Sequence, residues 1–182
     1  VEASRVTGVK LTAGNHINAD IAVFAGDPAV CYEQMLKSAP APAPTSIPAI
    51  PKHYSMGLYV LYFGTKKCYP DIAHHSIWMG PRFREHLADI FDRKHLADDF
   101  SLYLHRPTAT DTSFAPEGCE SFYVLCPVPN LLANLDWETE APKLRDRIVD
   151  ALETSILPDL SSVIEEVFWM TPVDFERDYR SM

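Results

Sequence analysis

A polar segment, residues 107–118, separates two strand-like apolar runs and holds both carboxylates and hydroxyls. Its carboxylates, Asp111 and Glu117, are a candidate acid/base pair for proton transfer. The hydroxyls are those of Thr108, Thr110, Thr112 and Ser113. No Ser/His/Asp order or nucleophile-elbow sequence accompanies them, so the pattern does not indicate hydrolysis by a serine. The alternative is structural: the hydroxyls bond backbone groups, and the sequence Pro-Glu-Gly at residues 116–118 forms a hairpin turn.

A second candidate site is the sequence Ala25-Gly26-Asp27, which predicts a crossing from a strand to a helix. A helix N-terminus at the end of a sheet can hold a phosphate or the edge of a flavin, because its free N–H groups point outward. An ordinary turn gives the same pattern. The seven glycines never form GxGxxG, and no GxxxxGK[ST] sequence occurs. We therefore expect this chain alone not to bind a nucleotide cofactor tightly.

Two arginines, Arg82 and Arg84, lie at the start of a predicted helix, where positive charge opposes the helix dipole. An anionic partner such as a phosphate or a lipid headgroup would explain this position. The alternative is a solvated helix face on which the arginines pair with Glu85 or Asp89.

Metal binding is not expected from the cysteines and histidines. The four cysteines show no CxxC spacing, which is typical of reduced, mostly buried thiols in a cytoplasmic protein. His74 and His75 are the adjacent histidine pair, and in an extended strand their rings would point to opposite faces and not easily share one metal.

Composition excludes some classes of function. The formal net charge of −9 and the sequence pI of about 5.1 argue against nucleic-acid binding, which needs a basic stripe. No apolar run approaches the ~20 residues of a membrane span. A peripheral membrane contact stays open. With 47% hydrophobic residues, the chain is of the ordinary globular kind and long enough to bury a core.

The first part of the chain predicts a hairpin and a helix. Residues 5–11 and 16–24 have strand patterns joined by the turn sequence TAGN, and the apolar end of the second strand is typical of burial on both faces. A helix is predicted over residues 29–37. Residues 38–51, rich in proline, predict a stiff connector. We expect residues 1–37 and 52–182 to belong to separate structural units. The termini suggest a piece excised from a longer protein, and a processed N-terminus would give the same beginning.

The main body alternates strands and helices. Strands are predicted over residues 54–64, 74–80, 100–106, 121–126 and 161–170. A helix after residue 81 carries an apolar face of Phe83, Leu87, Ile90 and Phe91, and a second, over residues 141–157, carries Leu144, Ile148, Ala151, Leu152 and Ile156. Another helix is predicted to begin at residue 174. The pattern indicates an α+β fold with a mixed, largely antiparallel sheet covered by helices. Strand aromatics belong either to the core or to an apolar ligand channel; they are Tyr59, Tyr62, Tyr103 and Tyr123.

Several of these stretches together resemble a known family. "FSLYLHRPTATDTSFAPEGCESFYVLCPVPNL" and "NLDWETEAPKLRDRI" closely resemble bacterial-type phytoene desaturases, carotenoid dehydrogenases of the amine-oxidase-like flavoprotein superfamily. "LYVLYFG", "AHHSIWMGPRFRE" and "DFERDYRSM" are similar to neighbouring parts of those enzymes. "GVKLTAGNHINADIAVFAGDP" is similar to the family's hairpin and its "ADxVVxNADP" strand, although Phe24-Ala25-Gly26 departs from the usual Ser-Asn-Ala. The resemblance covers most of the chain outside the proline-rich tract.

The resemblance implies an internal fragment of such an enzyme. It implies that residues 1–37 are returning elements of an FAD-binding domain and that residues 52–182 are mainly the substrate-binding domain. The intact enzyme would use FAD to remove a hydride and a proton from a long polyene. Both flavin-holding glycine motifs of the family are missing here, so we expect the fragment to be inactive and to hold no FAD.

The same resemblance implies roles for particular residues. Asp111 and Glu117 match family motif positions and are candidate proton acceptors or cation stabilisers. Ala25, Gly26 and Asp27 would contact the cofactor in the full-length enzyme only. The expected substrate contacts are Tyr103, His105, Thr108, Ser113 and Tyr123.

The resemblance also suggests a cellular setting. The intact enzyme would be cytoplasmic and peripherally membrane-associated, with Arg82 and Arg84 suited to the membrane contact. We expect the fragment to self-associate through exposed apolar surface. The alternatives are a related carotenoid oxidoreductase, of the isomerase or retinol saturase-like kind, and a non-catalytic apolar-ligand-binding or scaffold domain.

Overall fold

The computed structural model describes residues 5–36 and 54–181. The chain divides into two compact units, one of which includes residues 5–36 and 176–181, while the other is made of residues 55–175. The predicted proline-rich connector, residues 38–51, lies outside the described residues, so the predicted domain boundaries stay a prediction.

The first unit contains the predicted hairpin. β1 (Gly8–Lys10) pairs antiparallel with β2 (His16–Asn18). Gly14 lies in the turn with a φ of 92°, a left-handed conformation that glycine adopts without steric cost. The turn sequence therefore specifies the hairpin, as predicted.

The apolar stretch after β2 differs from the prediction. β2 ends at Asn18, whereas the sequence pattern predicted a strand over residues 16–24 with a buried end. Ile21 is 81% exposed and Val23 is 89% exposed. The reason is that no further strand among the described residues pairs with this stretch, and an apolar strand is buried only where neighbours cover it.

A short helix follows where the sequence predicted one. α1 (Pro28–Val30) continues into a π-helical turn, Cys31–Met35. The carboxylate of Asp27 accepts a 2.8 Å hydrogen bond from the backbone N–H of Ala29, which satisfies one free donor of the first turn.

The second unit is built on a five-stranded antiparallel sheet in the order β4-β5-β6-β3-β7. The strands are β3 (Gly57–Thr65), β4 (His75–Trp78), β5 (Leu102–His105), β6 (Glu120–Val128) and β7 (Ile164–Met170). The central strands β3 and β6 pair along their whole nine-residue length, from Gly57 opposite Val128 to Thr65 opposite Glu120. The α+β fold class is thus confirmed, and both sheets are antiparallel throughout rather than mixed.

One long helix, α3 (Trp137–Ser155), packs on one face of this sheet. It begins earlier than predicted because Asp136 caps it, accepting a hydrogen bond from the N–H of Glu138. Its buried stripe, Ala141, Leu144, Ile148 and Leu152, recurs every three or four residues. The sheet residues in the same core are Tyr59, Leu61, Phe63, Leu102, Leu104, Phe122, Val124, Cys126 and Val128.

The helix between β4 and β5 buries only part of the predicted stripe. α2 (Phe83–Ala88) continues into a π-helical turn, Asp89–Arg93. Ile90 is buried as predicted, but Phe83 and Phe91 are each 42% exposed. The polar residues His86 and Asp89 are buried in addition. The predicted stripe assumed 3.6 residues per turn, and the wider π turn shifts which residues face inward.

The chain closes with α4 (Leu160–Val163), β7 and α5 (Pro172–Tyr179). The Thr171 hydroxyl donates to the Asp174 carboxylate, and the N–H of Asp174 bonds back to that hydroxyl, at the N-terminus of α5. Among the residues that the structure describes, no helix is both long enough and apolar enough to cross a membrane.

Candidate functional site: the second face of the five-stranded sheet

The sheet face opposite the core presents a continuous row of rings. Direct cross-strand partners place His75 opposite His105, His105 opposite Tyr123, Tyr123 opposite Tyr62, and Tyr62 opposite Phe168. We call these five residues the aromatic row. Side chains alternate between faces along a strand, so residues in register on one face form a single line across the sheet.

Neighbouring rings in the aromatic row are in contact range. The ring centroids of His105 and Tyr123 are 4.6 Å apart, and those of Tyr62 and Phe168 are 4.7 Å apart and stacked. His75 and His105 stack at 5.1 Å. With strands ~4.8 Å apart, four steps across the sheet give a row roughly 19 Å long.

A second row lies two residues along, on the same face. Each residue of this row lies directly opposite the next across the strands, in the order Ile77, Tyr103, Leu125, Val60 and Met170. Ile77 is 65% exposed and Phe168 of the aromatic row is 59% exposed. The two rows therefore form a largely apolar wall that is exposed at the edge strands, whereas Val60 on the central strand is 4% exposed.

One end of this wall is polar. His75 Nδ1 lies 2.6 Å from the Tyr103 hydroxyl, and His105 Nε2 lies 2.7 Å from His74 Nε2. His74 Nδ1 also contacts the Thr110 hydroxyl. Burial, followed by the neighbouring His74 and His75, lowers the pKa of His105. We call His74, His75 and His105 the histidine cluster.

The predicted separation of His74 and His75 is wrong. One ligand nitrogen from each of the three clustered histidines lies within 4.8 Å of the others. His74 precedes β4, so the alternation of side chains along an extended strand does not apply between it and His75.

The predicted substrate residues lie in several environments. Tyr103, His105 and Tyr123 lie on the sheet face opposite the core, within the two rows. Burial, then a hydrogen bond with Tyr123, raises the pKa of Tyr103. Tyr59 instead lies in the core, where its hydroxyl donates to the backbone carbonyl of Ala141 at 3.1 Å, as the alternative reading of the strand aromatics expected.

Thr108 and Glu117 line a cleft of about 490 Å³ beside the start of β6. Thr108 is buried and its hydroxyl oxygen has no hydrogen-bond partner. The remaining lining residues are Cys68, Arg106, Thr112, Ala115, Pro116, Gly118, Cys119 and Glu120.

Asp111 and Ser113 are structural neighbours in the polar segment. Asp111 caps a 3₁₀ turn, Thr112–Phe114, by accepting a 2.9 Å hydrogen bond from the N–H of Ser113. Hydrogen bonds from the side chain and then the backbone of Ser113 lower the pKa of Asp111, so this carboxylate is ionised at neutral pH. Asp111 is not among the residues that line the cleft with Glu117.

Sequence reasoning missed a buried ion pair at this end of the sheet. Arg106 donates from Nε to Oε1 of Glu120 at 2.8 Å, and the other carboxylate oxygen accepts from the N–H of Tyr69 at 3.0 Å. Arg106 also donates to the carbonyl of Ile72 at 2.6 Å. The side chains are 10% and 3% exposed, so the pair anchors the loop between β3 and β4 to the sheet. An arginine and a glutamate at the ends of two predicted strands were the available signal.

The predicted cofactor residues and arginines have local partners. At Ala25-Gly26-Asp27, the Asp27 carboxylate accepts the N–H of Ala29, so this donor of the first helical turn already has a partner; the cofactor contact in the full-length enzyme stays a prediction. Arg82 pairs with Asp99 at 2.8 Å and with Asp89 at 3.5 Å, which explains a cation at a helix start. Arg84 is exposed.

Comparison with known proteins shows the class of protein to which these features relate. No protein-family model matches the chain. Curated relatives do match, and they are carotenoid desaturases.

The relatives are bacterial phytoene desaturases in particular. The chain is 45% identical over 176 residues to a lycopene-forming phytoene desaturase of Pseudescherichia vulneris, covering 96% of this chain and 36% of that protein. It is 43% identical to a lycopene-forming enzyme of Pantoea ananas, covering 94% and 35%. It is 39% identical to a neurosporene-forming enzyme of Rhodobacter capsulatus, covering 97% and 35%.

The resemblance found in the sequence is therefore confirmed as homology to bacterial phytoene desaturases. It extends over almost the whole chain, which spans about a third of the length of the curated relatives it matches.

Proposed function

We propose that this chain is the substrate-contacting part of an FAD-dependent phytoene or carotenoid desaturase with the amine-oxidase-like fold. The complete enzyme would remove a hydride and a proton from a long polyene in carotenoid biosynthesis. The observation that carries the proposal is the aromatic row with the second row beside it, on a face of the sheet turned away from the core. A polyene has no hydrogen-bonding groups, so its recognition depends on apolar area and ring contacts.

Binding of a polyene by the purified chain tests this role. Phytoene in detergent micelles should co-elute with the chain, and Tyr62→Ala or Phe168→Ala should each weaken binding roughly three- to tenfold by removing apolar contact area. Leu132→Ala is the matched control, because Leu132 is 53% exposed and lies outside the sheet. If both row variants bind as well as the control, the row is not the polyene site.

FAD would be bound chiefly by parts of the enzyme outside this chain. The first turn of α1 is capped by Asp27, and the sequence lacks a dinucleotide fingerprint. By itself the chain would be a non-catalytic apolar-ligand domain. Purified with excess FAD and desalted, it should show no flavin absorbance. Retained flavin would overturn the proposal that FAD is bound chiefly by parts of the enzyme outside this chain.

Asp111 and Glu117 are proposed to act on the reacting polyene in the complete enzyme. The lowered pKa of Asp111 makes this carboxylate a weak proton acceptor. Of the two proposed roles, stabilisation of a developing cation therefore suits Asp111 better. Asp111→Asn should lower turnover in a complete desaturase that contains this segment. The control, Asp150→Asn, changes an exposed carboxylate on α3. Unchanged turnover in Asp111→Asn would exclude the role.

A peripheral membrane contact is proposed through the region of α2, in a cytoplasmic enzyme. Met79, Phe83 and Phe91 are 54%, 42% and 42% exposed, and the exposed Arg84 lies beside Phe83. With Arg82 held by Asp99, apolar insertion would contribute more than charge. Phe83→Ser should reduce co-sedimentation with neutral phosphatidylcholine vesicles, whereas Arg84→Gln should have a smaller effect. Equal binding by Phe83→Ser and the unchanged chain would refute the contact.

Self-association of the isolated chain is the remaining proposal. β4 and β7 are the edges of the sheet, and both carry exposed apolar side chains, Ile77 and Phe168. Light scattering should show a mass that rises with concentration. A monomer at every concentration would contradict this.

A further inference from the structure

The histidine cluster is assembled by the backbone pairing of two strands. His75 lies directly opposite His105 in the ladder between β4 and β5. The carbonyl of His74 accepts a 2.9 Å hydrogen bond from the N–H of Arg106, the residue after His105. The three imidazoles are therefore held together by main-chain bonds, as well as by contacts between the rings.

Two of the rings are oriented by hydroxyl groups. His74 contacts the Thr110 hydroxyl through Nδ1, and His75 contacts the Tyr103 hydroxyl through Nδ1 at 2.6 Å. The Nε2 atom of His74 faces Nε2 of His105, 2.7 Å away. Metal-binding histidines are typically fixed in this way, with one nitrogen held by an outer group and the other turned toward the ion.

The third ring, His105, has an unusual pair of nitrogens. Its Nε2 lies 2.7 Å from Nε2 of His74, within hydrogen-bond distance, so an ion bound by both nitrogens would replace this contact. Its Nδ1 is buried and has no hydrogen-bond partner.

The spacing of the nitrogens brackets that of a tetrahedral metal site. Zn–N bonds of about 2.0–2.1 Å place two ligand nitrogens roughly 3.3 Å apart. The pair formed by His74 and His105 would open by about 0.6 Å, and the widest separation, within 4.8 Å, would close through side-chain rotation. No carboxylate or thiolate belongs to the cluster, and an all-imidazole set suits Zn²⁺ better than Mg²⁺ or Ca²⁺.

We propose that His74, His75 and His105 bind one divalent transition-metal ion of the zinc class, with a fourth position open to solvent. His75 is exposed, so the ion enters from the solvent side of the edge strand β4. The site lies at the polar end of the aromatic row, where a bound ion would tie β4 to β5 and present a Lewis-acidic position beside the apolar wall. The inference is independent of the proposed desaturase function.

Calorimetric titration of the untagged, chelator-treated chain with Zn²⁺ tests the site. We expect one ion per chain, and an affinity that falls more than 100-fold in His75→Ala and in His105→Gln, because each loses a ligand. Thr110→Val should lower the affinity roughly tenfold by freeing the His74 ring. His16→Ala, which removes an exposed histidine of the β1–β2 hairpin, should leave the affinity unchanged.

A second measurement reports the geometry of the site. Co²⁺ in place of Zn²⁺ should give the intense visible absorption of a four-coordinate ion, and His75→Ala should abolish it. Circular dichroism establishes that each variant keeps its fold, and His75→Ala is the safer variant because the side chain is exposed on an edge strand. Absence of saturable binding, or binding that both ligand variants leave unchanged, would overturn the proposal. A weak, six-coordinate Co²⁺ spectrum would also overturn it.

Discussion

Replacing Arg106 by methionine would leave the carboxylate of Glu120 buried with one remaining donor, the N–H of Tyr69. The Glu120 side chain is 3% exposed, so water replaces the lost ion pair less well than it would at the surface. Removing one partner of a buried pair costs about 3–5 kcal/mol, a large part of the ~5–15 kcal/mol by which a domain is stable. At a typical urea dependence this lowers the unfolding midpoint by roughly 2 M.

The assay is urea unfolding followed by tryptophan fluorescence. The three tryptophans, Trp78, Trp137 and Trp169, all lie in the unit of residues 55–175, so the signal reports that unit. Far-UV circular dichroism in the same samples tests whether unfolding is two-state.

Two further variants make the reasoning refutable. Arg106→Met combined with Glu120→Gln removes the unpaired charge and keeps an acceptor for the Tyr69 N–H, so it should recover at least half of the loss. Lys143→Met breaks an exposed ion pair with Glu140 and should cost no more than about 1 kcal/mol, because the Lys143 side chain is 59% exposed. The reasoning fails if Arg106→Met costs no more than Lys143→Met, or if the double variant is no more stable than the single one.

Three other predictions follow from local geometry. Gly80→Ala should destabilise the chain by roughly 1–3 kcal/mol, because the new Cβ would lie 2.2 Å from the Phe100 carbonyl oxygen. In the control Gly64→Ala, the new Cβ would meet no atom nearer than 3.9 Å. Equal urea midpoints for the two variants would contradict this. A hydrogen bond from the Thr139 hydroxyl lowers the pKa of Asp136. The stabilisation of the folded chain by this carboxylate is therefore present above the unfolded pKa and is lost as the pH falls below about 4. Asp136→Asn should therefore show a shallower loss of urea midpoint in acid, and an unchanged slope would refute it. Burial raises the pKa of Cys126 to about 12, so a thiol reagent should label the exposed Cys68 in the folded chain and Cys126 only after unfolding; early labelling of Cys126 would contradict the burial.

Much of the sheet and its main helix could be predicted from the sequence, since their signals are local. Alternation in β6 places Phe122 and Val124 in the core and Tyr123 on the other face. The spacing of Leu144, Ile148 and Leu152 marks the buried stripe of α3. These elements repeat a period over many residues, which a sequence displays directly.

The candidate site was only partly predictable, because its contacts depend on which strands become neighbours. Tyr103, His105 and Tyr123 were identified singly, but their order in a row follows from the pairing of β4 with β5 and of β5 with β6. The ion pair of Arg106 with Glu120 needs the same pairing. The meeting of His74 with His75 depends on where β4 begins, and strand ends are the least certain feature of a sequence pattern.

The direct pairing of β3 with β6 has a consequence for how the ligand face can change. The two strands match residue for residue over nine positions, so deleting Ser121 while the pairing of Glu120 is kept would turn Tyr123 inward and Val124 outward, together with the later residues of the strand. Residues of the core and residues of the opposite face therefore alternate along the same strand. Single exchanges at positions such as Tyr123 or Leu125 therefore change the face opposite the core without altering the core, and this is the face proposed to contact a polyene. A change in strand length would exchange the two faces and disrupt the core together with the face opposite it.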